Sequence, residues 1–174
     1  MENNLIKQQT NNAVEGFTTS DAILKHWQGH RKLTRQVIET FPDDKLFKYS
    51  IGGMRPFSEM INEIIDIADA GIQDLFKDEP TPIAQLNHHS GKLLANTKEE
   101  MLNLWDDVTY KIDTLWPLIP QQRFHEKMVA FGAYEGITSD IILYWIDNEI
   151  HHRGQGYVYL RSLGIEPPAF WDRY

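Results

Sequence analysis

Hydrophobic residues recur at steps of three and four along four long stretches of the chain. This spacing gathers side chains on one face of an α-helix and predicts four amphipathic helices. They cover approximately residues 19–41, 56–72, 97–116 and 140–163. No segment shows a convincing alternating strand or hairpin pattern, so the sequence predicts an all-α, four-helix bundle.

Capping residues define where these helices begin. Thr19 or Ser20 precedes the first helix, and residues of this type commonly accept a hydrogen bond from a helix N-terminus. Thr97, followed at the third step by Glu100, fits a reciprocal capping box for the third helix. Ser139 is predicted to cap the fourth helix.

The segments outside the helices define the domain organisation. Residues 1–18 are polar and predict an N-terminal arm, whereas residues 19–174 predict a single domain. Proline and glycine punctuate the stretches 42–56 and 77–96, and the pattern loosens at 120–138, so the helices are expected to be joined by long crossovers.

Composition and charge exclude several classes of protein. The chain has no cysteine, so disulfides, thiolate zinc sites and a cysteine nucleophile are excluded. Its net charge of −8 disfavours nucleic acid and anionic lipid as partners. The N-terminus lacks the pattern of a secretory signal, and no run of 18 apolar residues occurs. We therefore expect a cytoplasmic protein without membrane or nucleic-acid partners.

Candidate chemistry lies on the fourth predicted helix. Asn148 and His152 follow Trp145 at helical spacing on a row that should face the bundle interior. An amide or imidazole buried without partners costs about 1 to 3 kcal/mol, so these side chains require polar groups opposite them. Glu63, at the edge of the apolar stripe of the second predicted helix, is the candidate partner.

The chain resembles a known family in this region. The string HHRGQ, followed by YLRSLGIEPP, is similar to the final helix of the DinB/YfiT-like superfamily, and MRPFSEMINEI resembles that family's second helix. Members of the family are four-helix bundles in up-down-down-up order, and many bind a divalent metal through three histidines. The resemblance therefore implies this topology and a metal site.

Carried over residue by residue, the metal ligands implied by the resemblance are Glu63, Asn148 and His152. Only His152 keeps the imidazole of the family pattern. The implied cofactor is a divalent metal, Zn, Ni, Mn or Fe. A carboxylate and an amide in place of two imidazoles weaken a site for soft or borderline metals, but an oxygen-rich set still suits a harder ion. Asp147 or Glu149 is the expected outer partner of the ligands.

Two classes of function follow. The resemblance implies a metal-dependent hydrolase or small-thiol transferase acting on a small-molecule substrate, with a degenerate ligand set. The alternative is a metal-free bundle that binds a small ligand or a partner without catalytic activity. In either case apolar area around the last helix predicts a homodimer.

The remaining polar signals favour structural roles. His26 and His30 are four residues apart on the first helix and are expected to be exposed, as are the adjacent His88 and His89. Arg153 is expected to tie the last helix to a neighbouring acidic group.

Overall fold

The structure, a computed structural model, describes residues 18–174. Its main elements are four long helices, one helical turn and a small hairpin. In chain order they are α1 (Ser20–Thr40), α2 (Asp43–Leu46), α3 (Phe57–Asp74), α4 (Lys98–Leu115), β1 (Lys127–Ala130), β2 (Tyr134–Ile137) and α5 (Thr138–Ser162). The arm predicted at residues 1–18 lies almost wholly outside the described residues.

The four long helices form the bundle that the sequence predicts. Both α1 and α3 pack against α4 and α5. The contacts Gln28–Asp113 and Arg35–Asp106 run in opposite directions along α1 and α4, so these two helices are antiparallel. Trp27 contacts Glu149 and Thr34 contacts Arg153, so α1 and α5 are parallel, whereas the contacts of Gly71 with Trp145 and of Gly156 with Phe57 make α3 and α5 antiparallel. The four long helices therefore run up, down, down and up, as expected.

Local sequence explains most helix ends. Thr19 accepts a hydrogen bond from the Ala22 amide, and Thr97 forms the complete capping box with Glu100. The prediction that Ser139 caps the last helix was wrong, because α5 already begins at Thr138.

Two reciprocal contacts bring α3 and α5 close together. A β-carbon at Gly71 of α3 would lie 2.7 Å from the Trp145 ring of α5. A β-carbon at Gly156 of α5 would lie 2.5 Å from the Phe57 ring of α3. Each helix therefore offers a glycine to an aromatic ring of the other, near opposite ends of an antiparallel pair.

The connector between α3 and α4 is fastened to α3 by polar side chains. Asn62 donates to the Lys92 carbonyl at 2.9 Å and accepts from the Leu94 amide at 2.9 Å. Further along the helix, Asp66 accepts hydrogen bonds from Asn87 and His88. The long crossover is therefore held against the bundle at two points.

The hairpin between residues 127 and 137 is a departure from the all-helical expectation. Phe131 and Gly132 have φ of 56° and 66°, and the Ala133 amide donates to the Ala130 carbonyl at 3.0 Å. This is a turn of type I′ geometry, which normally carries Asn or Gly rather than Phe at its first central position. The missing turn signature explains why the sequence pattern gave no hairpin.

Over residues 18–174, none of the helices combines the length and the apolar character needed to cross a membrane.

Candidate functional site

The three residues singled out from the sequence converge between α3 and α5. Asn148 Nδ2 donates to Glu63 Oε1 at 3.0 Å, and His152 Nε2 lies 3.1 Å from the same oxygen. The side chains are largely buried, with exposed fractions of 17% for Glu63 and 8% for His152. We call Glu63, Asn148 and His152 the polar triad.

A fourth residue completes the charge balance of the polar triad. Arg55, just before α3, donates from its guanidinium to Glu63 Oε2 at 2.7 Å. Burial alone would raise the pKa of Glu63, but hydrogen bonds from His152, Arg55 and Asn148 outweigh it and hold that pKa well below its usual range. Glu63 is therefore a carboxylate at neutral pH.

Hydrogen positions follow from the chemistry of the acceptors. A carboxylate only accepts hydrogen bonds, so His152 Nε2 must carry the hydrogen that it shares with Glu63. The other ring nitrogen, Nδ1, lies 2.7 Å from the side-chain amide of Gln155, to whose oxygen it donates or from whose nitrogen it accepts, according to how that amide is turned. Both imidazole nitrogens are therefore engaged with neighbouring side chains.

The same carboxylate fixes the orientation of the Asn148 amide. Its nitrogen faces Glu63, because turning the amide over would set an oxygen against a carboxylate. Its oxygen, Oδ1, is consequently buried without a hydrogen-bond donor among the described residues. Such an orphaned acceptor is costly unless water or a ligand reaches it.

In this arrangement the polar triad does not fit a bound metal ion. Asn148 and His152 direct hydrogens, not lone pairs, toward Glu63, and the Arg55 guanidinium would repel a cation beside it. Across residues 18–174, no group of three or more His, Cys, Asp or Glu side chains is placed to hold a metal ion. The ligand role implied by the resemblance stays a prediction for experiment.

Glu149 does not support the triad, contrary to expectation. It is completely buried on the side of α5 that faces α1, where it accepts from Thr34 at 2.6 Å and from the Trp27 indole at 3.3 Å. Arg31 and Arg153 lie 3.8 and 3.9 Å away. Burial raises the pKa of Glu149 despite these cations. This cluster joins α1 to α5, and it gives Arg153 the structural role expected of it.

His88 is a residue that sequence reasoning placed wrongly at the surface. Its side chain is only 11% exposed, and its Nδ1 lies 3.1 Å from Asp66 Oδ2. Asp66 also accepts from the His88 amide and from Asn87, which lowers the pKa of Asp66 despite the opposing effect of burial. These partners are 22 positions apart, so no helical spacing could reveal them. His89 is exposed as expected.

A cavity of about 450 Å³ opens beside the polar triad. Glu63 and Asn148 lie in its lining, together with His88 of the connector. Its other walls are mainly apolar and aromatic, including Ile67, Ile141, Phe131, Tyr134, Tyr144 and Trp145. This volume and lining are typical of sites for small organic molecules.

A larger cavity, of about 600 Å³, lies elsewhere, between the end of α3 and the hairpin. It is lined by charged side chains such as Lys77, Arg123 and Glu126, and it contains no member of the polar triad. We therefore take the smaller cavity as the candidate functional site, because convergent polar groups and an apolar wall occur together there.

These features define a helical bundle with a ligand-sized cavity at a buried polar triad. The DinB family model matches residues 8–173, so the chain belongs to the DinB family. A search of curated proteins gives no match.

Two solved structures share the fold. A DinB-like protein from Bacillus subtilis has a TM-score of 0.65 and 19% identity, covering 87% of this chain and 99% of its own. A DinB-like protein from Bacillus cereus ATCC 10987 has a TM-score of 0.64 and 14% identity, covering 86% and 95%. At these identities the likeness extends to the fold alone.

Proposed function

We propose that this DinB-family protein binds a small organic molecule in the cavity beside the polar triad, without a metal ion. One observation carries the proposal: Glu63 receives hydrogens from both Asn148 and His152, the two side chains that would otherwise share a metal with it. The triad then forms the polar base of a binding site.

The surrounding contacts support binding without metal chemistry. Arg55 supplies the positive charge that Glu63 needs, which is the role that a metal ion would otherwise have. Phe131 and Trp145, with ring centroids 6.3 Å apart, form an aromatic wall within reach of a ligand. A cavity of this size with one polar end can both hold and orient a small molecule.

The alternative is the metal-dependent hydrolase or small-thiol transferase implied by the resemblance, and the convergence of its three candidate ligands favours it. A bound divalent ion would there lower the pKa of water or a thiol. The residues that would hold it are Glu63, Asn148 and His152, after Asn148 turns its amide oxygen inward.

Elemental analysis separates the two functions. The protein is purified without chelator and without an affinity-column metal, in parallel with the His152→Ala variant. We expect no stoichiometric metal in either protein. One equivalent of metal in the native protein, lost in the variant, would establish the metal-dependent alternative.

Ligand binding is tested with the neutral probe 2-phenylethanol, followed by chemical-shift changes of backbone amides around the cavity. Ile141→Trp should fill the cavity and abolish the changes, because Ile141 lies in its wall. Leu143→Trp is the matched control, since Leu143 is on the same helix but 42% exposed and outside the cavity. Equal responses from both variants would contradict binding at this cavity.

A further inference from the structure

The charged groups around the cavity suggest which ligand it takes. Three carboxylates, those of Glu63, Glu135 and Asp140, lie in its lining, and no lysine or arginine among residues 18–174 does. Glu63 is paired with Arg55, and Glu135 is paired with Lys127 at 3.0 Å. Asp140 has no ion-pair partner within the described part of the chain. The uncompensated charge of the lining is therefore negative.

A second and independent observation concerns hydrogen-bond acceptors. The buried Asn148 Oδ1, held in place by Glu63, accepts no hydrogen bond from the described residues. His88 donates from Nδ1 to Asp66, and its other ring nitrogen has no hydrogen-bond partner among the described residues. Both residues lie in the cavity lining. Two residues of the lining thus carry a polar atom without a hydrogen-bond partner among the described residues, and neither of them adds a positive charge to the cavity.

The apolar wall provides the third observation. Phe131, Tyr134, Tyr144 and Trp145 contribute four aromatic rings to one cavity. Aromatic faces attract cations through the ring quadrupole, in addition to burying apolar surface. The hydroxyls of the tyrosines are uncharged and do not oppose a positive group.

We propose that the ligand of this cavity is a small organic ammonium compound with an apolar or aromatic body. Its ammonium group pairs with Asp140, and its body lies along the aromatic wall toward Asn148. Asp140 and Asn148 are eight residues apart on α5, or about 12 Å at 1.5 Å per residue, which sets the length of a ligand that reaches both. This inference rests on the proposed function.

The charge preference is tested with three probes of similar shape: phenethylamine, 2-phenylethanol and 3-phenylpropionate. The dissociation constant of each is measured for the native protein by the same amide shifts. We expect phenethylamine to bind about two- to fivefold more tightly than 2-phenylethanol, because an ion pair with an exposed carboxylate typically contributes up to about 1 kcal/mol. The anion 3-phenylpropionate should bind most weakly of the three.

Asp140→Asn tests the group that confers the preference. Asp140 is exposed and contributes no ion pair among the described residues, so the variant should fold normally. We expect it to lose most of the preference for phenethylamine over 2-phenylethanol, because the amide carries no negative charge. Asp147→Asn, on an exposed position of the same helix outside the cavity, is the matched control and should keep the native preference.

The outcomes distinguish the two proposals. Binding of 2-phenylethanol with no preference for phenethylamine overturns the ammonium assignment and leaves the proposed function intact. An equal loss of preference in Asp140→Asn and Asp147→Asn also overturns it, because the effect would then be one of net charge. Failure of all three probes to bind the native protein contradicts the proposed function itself.

Discussion

Glu63 is the residue on which the geometry of the candidate site depends. Its carboxylate accepts from Arg55 with one oxygen and from Asn148 and His152 with the other. The convergence of the polar triad could be anticipated from helical spacing, because Asn148 and His152 share one face of α5. The contribution of Arg55 could not, since it lies outside the helical periodicity of α3.

The same convergence leads to a designed metal site. The double variant Glu63→His, Asn148→His should bind Zn²⁺ tightly, because it would have three imidazoles, including that of His152, at the place where Glu63 now contacts Asn148 and His152. Binding is measured by calorimetry on metal-free protein. Adding His152→Ala to the double variant should abolish it; unchanged affinity would mean that His152 does not point into this site.

His30 shows how tertiary contacts overrule an expected exposure. It is buried, and its Nδ1 accepts a hydrogen bond from the Arg153 guanidinium at 2.9 Å. Its Nε2 lies 3.1 Å from both His26 Nε2 and the Arg173 guanidinium. Burial, with the charges of Arg153, His26 and Arg173, lowers the pKa of His30 to about 3. His26 remains exposed as expected.

This lowered pKa determines how the free energy of unfolding depends on pH. Between pH 6.5 and about 3, His30 binds a proton in the unfolded chain but not in the folded chain. The stabilisation is therefore complete above pH 6.5 and decreases as the pH falls, by about 2 kcal/mol between pH 7 and 5.

Urea denaturation at pH 7 and 5 measures the effect. His30→Gln should show a smaller loss of stability over this interval than the native protein. His151→Gln, which changes an exposed histidine of α5, should keep the native loss. Parallel losses in all three proteins would show that His30 is not responsible.

At the scale of elements, the pair α3 and α5 owes its close approach to two glycines. Gly156 gives room to the Phe57 ring, and Gly71 gives room to the Trp145 ring. These contacts lie on either side of the polar triad along the helices. The hydrogen-bond distances between Glu63 and α5 therefore depend on residues that carry no polar side chain.

Gly156→Ala should lower the free energy of unfolding by about 1 to 3 kcal/mol, because the added methyl group overlaps the Phe57 ring. Gly154→Ala should instead raise it by up to about 1 kcal/mol, since nothing lies within 4 Å of that position and alanine favours helix. Thermal and urea denaturation of the two variants measure both effects. Equal behaviour of the two variants would contradict the close packing.

Helix positions were predictable because apolar periodicity and caps are local properties of the sequence. The hairpin was not, because its strands are four residues long and Phe131 occupies a turn position with φ of 56°. Phe131 is held there by burial and by its carbonyl, which accepts from the Ile83 amide at 2.9 Å. Such tertiary support leaves no local pattern.

At the scale of the whole molecule, the order and direction of the four helices follow the expectation, but the long crossovers are more than connections. The connector and the hairpin each contribute residues to the cavity, among them His88 and Phe131. Their positions depend on anchors such as Asp66, so the shape of the cavity could not be derived from the helical pattern.

Homodimerisation is a prediction that belongs to this scale. Leu143 and Val158 on α5 are 42% and 53% exposed, which leaves apolar area for a second copy. Light scattering coupled to size-exclusion chromatography should give twice the monomer mass. Leu143→Glu with Val158→Glu should give the monomer, whereas Leu118→Glu, at another exposed position, should not; a monomeric native protein would contradict the prediction.

The polar and the variable parts of the cavity wall come from different elements of the fold. Helices α3 and α5 supply the polar base, and their glycine contacts leave little freedom to change it. The hairpin and the connector supply much of the remaining wall, and residues such as Leu86 and Phe131 also pack into the core. Diversification of ligand choice, in nature or in the laboratory, is therefore open at positions such as Tyr134 and Ile83 while the four-helix scaffold stays constant.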